Sequence, residues 1–377
     1  MGLRPRTPPP LLCLSRDDEN IIMCMSIEMK LKFGIDQATK LLNNLYSDDG
    51  LGTIMMHNGQ IKPIQDIQKG NELMGDDSEP RIVHSVIKRY GKMYRINNSN
   101  GQCYTFNDTH ILSLYAPTFP IHQILANNII QISCIHNNVI CQIHFSADDE
   151  HEYEKAETFY QNVLSLNKTM LEIKIKDYLL LSPELRSELR CYRVGIDFTN
   201  IQSSLLYNKS YILGHDLGSS LLLYNHYSHL SNIPQCFKYG CREIRREFLA
   251  GVFDSQKEKN FLGKVDKIML KYPIERYAFV NDVCFIIRSL GMKCTILEKK
   301  SEQHHQYILH IVLSNNNDHC HHHLDDSFTL TPLSPGYFHE IILRGNNPRY
   351  VLADFTVTCS LTHQLTDHSN YRLSIGL

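Results

Sequence analysis

Two stretches of short, turn-punctuated strand pattern lie far apart in this 377-residue chain, with a longer stretch of alternating helix and strand pattern between them. Residues 53–114 run as TIMM, HNG, IKPIQDI, KGNELMGDDSEP, RIVHSVIKRY, GKMYRI and NNSNGQ, β-prone runs separated by Asn-Gly, Gly-Asp and Asp-Asp turn signals. Residues 328–358 return to strand character, with YVLADFTVT as their clearest strand. Residues 211–313 alternate helices and strands, which is α/β patterning. An all-β segment, an α/β segment and a second all-β segment describe one domain interrupted by another. Each β half needs the other.

The connecting regions are plainer. Residues 1–46 hold a Pro-rich start and a helix-like segment, MKLKFGIDQATKLLNNLY, and are expected to be a flank outside any catalytic unit. Between the first β segment and the α/β middle, AETFYQNVLSLN has helical spacing, and LEIKIK is followed by a Ser-Pro-Glu helix start. The run NNNDHCHHHLDD is a polar loop, and consecutive residues such as His319 to His323 rarely converge on one tetrahedral metal ion. The run Arg242, Arg245, Arg246 reads as the solvent face of a helix start.

Composition excludes little. The apolar runs Tyr178 to Leu181 and Ser219 to Tyr224 fall far short of the roughly 20 residues that span a bilayer. The first residues are too broken by prolines for a secretory signal, so the expectation is an intracellular protein of cytoplasm or nucleus without a membrane partner. Twelve cysteines without a regular framework suit a reducing compartment and free thiols. A net charge of −2 leaves nucleic acid open, because binding it needs a local basic surface and not a basic total.

The segments GTIMMHNGQIKPIQDIQKGNELMGDDSEPRIV and GKMYRINNSNGQCYTFNDTHILSL together resemble the N-terminal half of an intein's self-splicing Hint domain. RGNNPRYVLADFTVT is similar to the strand that closes the same domain. The resemblance implies a β-rich Hint horseshoe built from residues 47–150 and 328–361, around an insert at 151–327, with a tail at 362–377. It also implies four chemical positions. The first residue attacks its own preceding carbonyl. Counting back from Asn58-Gly59 puts that residue at Ser47 and counting from Thr53 puts it at Asp48, of which only Ser47 is a nucleophile. A Thr-x-x-His motif that polarises the scissile amide stands here as Asn107-Asp108-Thr109-His110, with His110 as general acid. The penultimate His and terminal Asn are replaced by Cys359 and Ser360, and the following nucleophile by Leu361. Ser360 has no amide nitrogen with which to cyclise, so complete splicing is expected to fail.

Within the insert, YILGHDLGSS and FLAGVFDSQ resemble the paired helices of LAGLIDADG (DOD-type) homing endonucleases. Gly214, Gly218, Ala250 and Gly251 would let two such helices approach almost backbone to backbone. By that resemblance the chain would cut double-stranded DNA as a monomer, with Mg²⁺ held by a carboxylate ending each helix. Those positions are Ser219 and Gln256 here; Asp216 and Asp254 lie two or three residues earlier, turned away at about 100° per residue. The two helices also follow each other too closely for a full subdomain between them. The fold expected is thus multidomain, an all-β Hint horseshoe split by a truncated α/β endonuclease-like insert degenerate at its catalytic positions.

Overall fold

The computed structural model describes residues 52–99, 101–126, 128–166, 169–198, 204–219, 232–256, 267–300, 305–312 and 327–362. Ser47, Asp48, the helix-like segment before them and the His319–His323 run lie outside these residues.

The β-rich part opens with β1 (Thr53–Met55), β2 (Ile61–Pro63), β3 (Glu72–Met74), β4 (Pro80–Asn98), β5 (Cys103–Asn107) and β6 (Ile111–Tyr115). A hairpin sheet follows, β7 (Ile121–Leu125), β8 (Ile129–His136) and β9 (Val139–Ser146), covered by helix α1 (Glu150–Leu166). Ala156 of α1 packs there on Ile130 and Ile132, all buried. Next come β10 (Met170–Lys174), α2 (Ile175–Tyr178), α3 (Pro183–Ser187) and β11 (Arg190–Cys191). The Ser-Pro-Glu start forms as expected: Pro183 opens α3, and the Leu185 N–H donates to Ser182 Oγ at 3.3 Å.

The α/β part comprises α4 (Ser204–Gly218), α5 (Gln235–Lys238), α6 (Arg242–Ser255), β12 (Lys267–Pro273), α7 (Tyr277–Ser289), β13 (Lys293–Lys300) and β14 (His305–Val312). Its strands form an antiparallel sheet in the order β12-β14-β13. Leu213, Phe248, Val252, Leu270, Ile286 and Leu309 share one buried cluster, so helices and sheet bury their apolar faces on each other.

The chain then returns to the first part through β15 (Phe328–Leu343), β16 (Arg349–Val351), β17 (Val357–Cys359) and β18 (Leu361–Thr362). β15 runs antiparallel along nearly all of β4, from Phe328 opposite Asn98 to Leu343 opposite Val83. β17 lies between β6 and β16. Ile54, Leu73, Val83, Leu112, Ile341 and Leu343 belong to one core, which neither end of the chain could assemble alone. A third cluster, with Met55, Val351 and Phe355 against Ile196, Phe198 and Phe285, joins the β-rich part to α7.

Four expectations change. RIVHSVIKRY and GKMYRI are one strand, because β15 pairs across Gly91 and leaves no room for a turn. YVLADFTVT is a hairpin, with Phe355 at φ 72° and Asp354 Oδ1 accepting the Thr356 N–H at 2.9 Å to close its turn. The β sheet runs past residue 150, since β10 and β11 both pair with β6. Arg245 is fully buried, donating to the carbonyls of Gly240, Ile196 and Ser289 at 2.9, 2.6 and 3.0 Å. A guanidinium with that many carbonyl partners is a structural rivet. Among the described residues no helix is long and apolar enough to cross a membrane.

Candidate functional site

The loop between β5 and β6 carries Asn107 to His110, and its backbone is pinned at each step. The His110 N–H donates to Asn107 O at 3.2 Å, closing a turn. The Asp108 N–H donates to Lys92 O at 3.2 Å, and Lys176 and Ile175 N–H groups donate to Asp108 O at 2.9 Å and His110 O at 3.0 Å. These bonds fix where the imidazole leaves the chain. Asn107 is buried, and its amide donates to Thr109 Oγ1.

β17 brings the other half of the site. Its register sets Cys359 opposite Ile111 and Thr358 opposite Leu112, which places Thr358 Oγ1 2.6 Å from His110 Nε2. A cleft of about 110 Å³ is lined by Gly52, Asn107, Thr109, His110, Cys359 and Ser360. It has room for several water-sized molecules. The structure therefore brings Asn107, His110, Cys359 and Ser360 together, with Gly52 at the entry to β1 in the same wall; Ser47 lies outside the described residues. Thr358 was not singled out from sequence. Its partner is 248 residues away, so no local pattern could have shown it.

Electrostatics sort these groups. The His110 ring stacks on Phe106 with centroids 3.8 Å apart and planes 10° from parallel, and desolvation pushes its pKa from 6.5 down to about 3. At neutral pH the ring is uncharged. The folded pKa lies below the unfolded one, so this stability is complete above about pH 6.5 and declines as pH falls towards 3. Thermal midpoints measured across that range should fall with acid, and His110→Gln should flatten the slope; an unchanged slope contradicts the assignment. Burial, with Glu172 and Asp76 nearby, raises the Cys359 pKa far above its usual value despite Arg349. The thiol stays protonated and donates to Ser360 O at 3.4 Å, while Ser360 Oγ donates to Ile341 O. Neither side chain is poised as a nucleophile.

The second set of sequence-selected residues lies where α4 and α6 cross. A Cβ at Gly214 or Gly251 would land on the carbonyl oxygen of Phe248 or Tyr211, and one at Gly218 would sit 2.8 Å from Val252 Cα. The helices thus touch through bare backbone. At their C-terminal ends Gln256 Nε2 donates to Gly218 O at 2.6 Å, and Arg276 donates to Leu217 O at 2.6 Å and Ser219 O at 3.1 Å. The guanidinium carbon lies 4.0 Å above the Phe279 ring. Asp254 Oδ2 accepts from Tyr211 OH at 3.0 Å, and Asp216 Oδ1 is 3.7 Å from His215 Nδ1. Helix C-termini carry partial negative charge, and at the end of α4 the Arg276 cation already meets it. A hard divalent ion needs several oxygen ligands, and this donor set does not suit Mg²⁺. Sequence reasoning missed Arg276, which nothing near it in the chain marks as a cap.

Residues 51–137 match the family described as Hom_end-associated Hint. That part of the chain is similar to the Hint domains of this family. Among solved structures the gp41-1 intein is 23% identical, with a TM-score of 0.16 over 17% of this chain and 49% of that one. The match spans about half of that intein's length. No curated protein matches the sequence. The matched residues run from β1 to β8 and include His110.

Proposed function

We propose that the chain is an intein-derived protein whose Hint domain performs the first acyl shift at its N-terminal junction and cannot complete ligation. The observation that carries this reading is the single cleft shared by Gly52, His110 and Cys359, because an acyl shift at Ser47 needs the start of β1 to open beside a proton carrier. In the shift the Ser47 hydroxyl oxygen bonds to the preceding carbonyl carbon and the amide C–N bond breaks, leaving an ester. His110, neutral at neutral pH, takes the hydroxyl proton and returns it to the departing amine nitrogen. An external nucleophile then releases the flank. Ser360 and Leu361 supply neither the cyclising amide nor the second nucleophile.

The test uses the full chain tagged at both ends and treated with hydroxylamine. Cleavage after Tyr46 is expected by mass spectrometry, absent in Ser47→Ala and His110→Ala, with no tag-to-tag ligation product. An uncut wild type, or a ligated product, refutes the reading.

For the inserted α/β part the reading is a LAGLIDADG-type endonuclease remnant that has lost metal-dependent cleavage and keeps at most double-stranded DNA as a binding partner. Arg276 and Gln256 at the helix ends favour this over an active nuclease, since they supply donors where two carboxylates and Mg²⁺ would be required. Incubation with a plasmid library and Mg²⁺ is expected to give no specific linear product. Site-specific linearisation would sink it.

A further inference from the structure

We infer that Thr358 is the positioning residue that fixes the tautomer of His110, so that Nδ1 is the atom that carries protons in the acyl shift; this rests on the autoprocessing reading above. A count of donors decides the tautomer. Thr358 is buried on β17, with Oγ1 2.6 Å from His110 Nε2 and 3.2 Å from the carbonyl oxygen of Ile111. A hydroxyl has one proton to give, and a carbonyl oxygen can only accept. Thr358 therefore donates to Ile111 O and accepts from His110 Nε2–H. A neutral imidazole has a single proton, so with Nε2 protonated the lone pair lies on Nδ1.

The surrounding structure holds this arrangement in place. Thr358 is bound to β6 through the Thr358–Leu112 and Cys359–Ile111 pairs, on the strand that begins one residue after His110. The face-to-face contact with Phe106 restricts the ring's tilt. The same contact supports both halves of the proton transfer. With Nδ1 empty the ring is a base; once Nδ1 is protonated, the Nε2–H···Oγ1 bond gains a charged donor and strengthens, which stabilises the imidazolium that must protonate the amine. Desolvation keeps the resting ring neutral, as a base awaiting a proton requires.

Tautomer and activity are measured separately on the full chain. With ¹⁵N-histidine labelling, the wild type at neutral pH should show His110 protonated on Nε2. Thr358→Val should give mixed tautomers and slow hydroxylamine cleavage by about 10²-fold, the low end of what a placed general acid–base contributes. Thr358→Ser, which keeps the hydroxyl, should restore both. A wild type protonated on Nδ1 overturns the inference without any variant, so it stays testable if Thr358→Val fails to fold. An unchanged tautomer in Thr358→Val overturns it too. A wild type that shows Nε2–H yet is never cleaved refutes the autoprocessing reading and the catalytic part of this inference, while the tautomer assignment stands.

Discussion

Replacing Gly251 with alanine is expected to destabilise the protein by about 3 kcal/mol or more, the upper range for forcing atoms into a packed interior. The sign is informative, because alanine in place of glycine in an ordinary helix interior gains roughly 1 kcal/mol. Here the added Cβ meets the Tyr211 carbonyl oxygen and lies 2.6 Å from His215 N, both backbone atoms of α4 that cannot swing aside. The helices would have to separate, opening the contacts among Leu213, Phe248 and Val252. Urea unfolding of Gly251→Ala checks this, and a variant as stable as the wild type would show that the helices do not cross at this distance. Gly214→Ala meets the Phe248 carbonyl oxygen from the other side, so the double variant should lose less than the sum of the two.

Arg193→Met is the second large effect, about 3–5 kcal/mol at neutral pH, because it removes the cation directly bonded to a buried carboxylate. Arg193 Nη2 lies 2.8 Å from Asp354 Oδ2, with side-chain exposures of 7% and 2%. The carboxylate also accepts from Asn98 Nδ2 at 3.3 Å and from Thr356 Oγ1 at 2.9 Å. Burial alone would raise the Asp354 pKa; Arg193, Tyr104 and the Thr356 N–H outweigh it and hold the group below 3.8. A depressed folded pKa contributes stability above the unfolded value, lost as pH falls through the folded one. The penalty in Arg193→Met should therefore be largest near pH 7 and shrink as Asp354 becomes protonated. Urea midpoints at several pH values decide it, and a loss under about 1 kcal/mol at pH 7 would mean the pair is solvated. The pair fastens residues 190–194 to the hairpin that carries Thr358 and Cys359, so hydroxylamine cleavage should weaken with it.

Much of the local design was legible. Turn signals at Asn58-Gly59 and the Ser-Pro-Glu helix start correspond to a turn and to α3, since both are decided by a few neighbouring residues. The small residues Gly214, Gly218 and Gly251 correspond to the close crossing of α4 and α6. Where sequence reading failed, the deciding partner was distant. Gly91 reads as a turn in isolation and is extended because β15 lies along it. Arg245 reads as a surface charge and is buried because Gly240, Ile196 and Ser289 surround it with carbonyls. The resemblance places a boundary at residue 150, yet β10 returns beyond it to pair with β6.

The sequence by itself determined which residue types could act: a histidine in a turn, no amide side chain at 360, no carboxylate at 219 or 256. Those are properties of side-chain chemistry, fixed once the residue is named. Only the tertiary structure decided how they act. Strand pairing across the chain set Thr358 against His110, and the packing around the α4–α6 crossing set the carbonyl end of α4 against Arg276. Hydrogen-bond roles depend on distances of a few tenths of an ångström between groups hundreds of residues apart, and only the folded core supplies that precision.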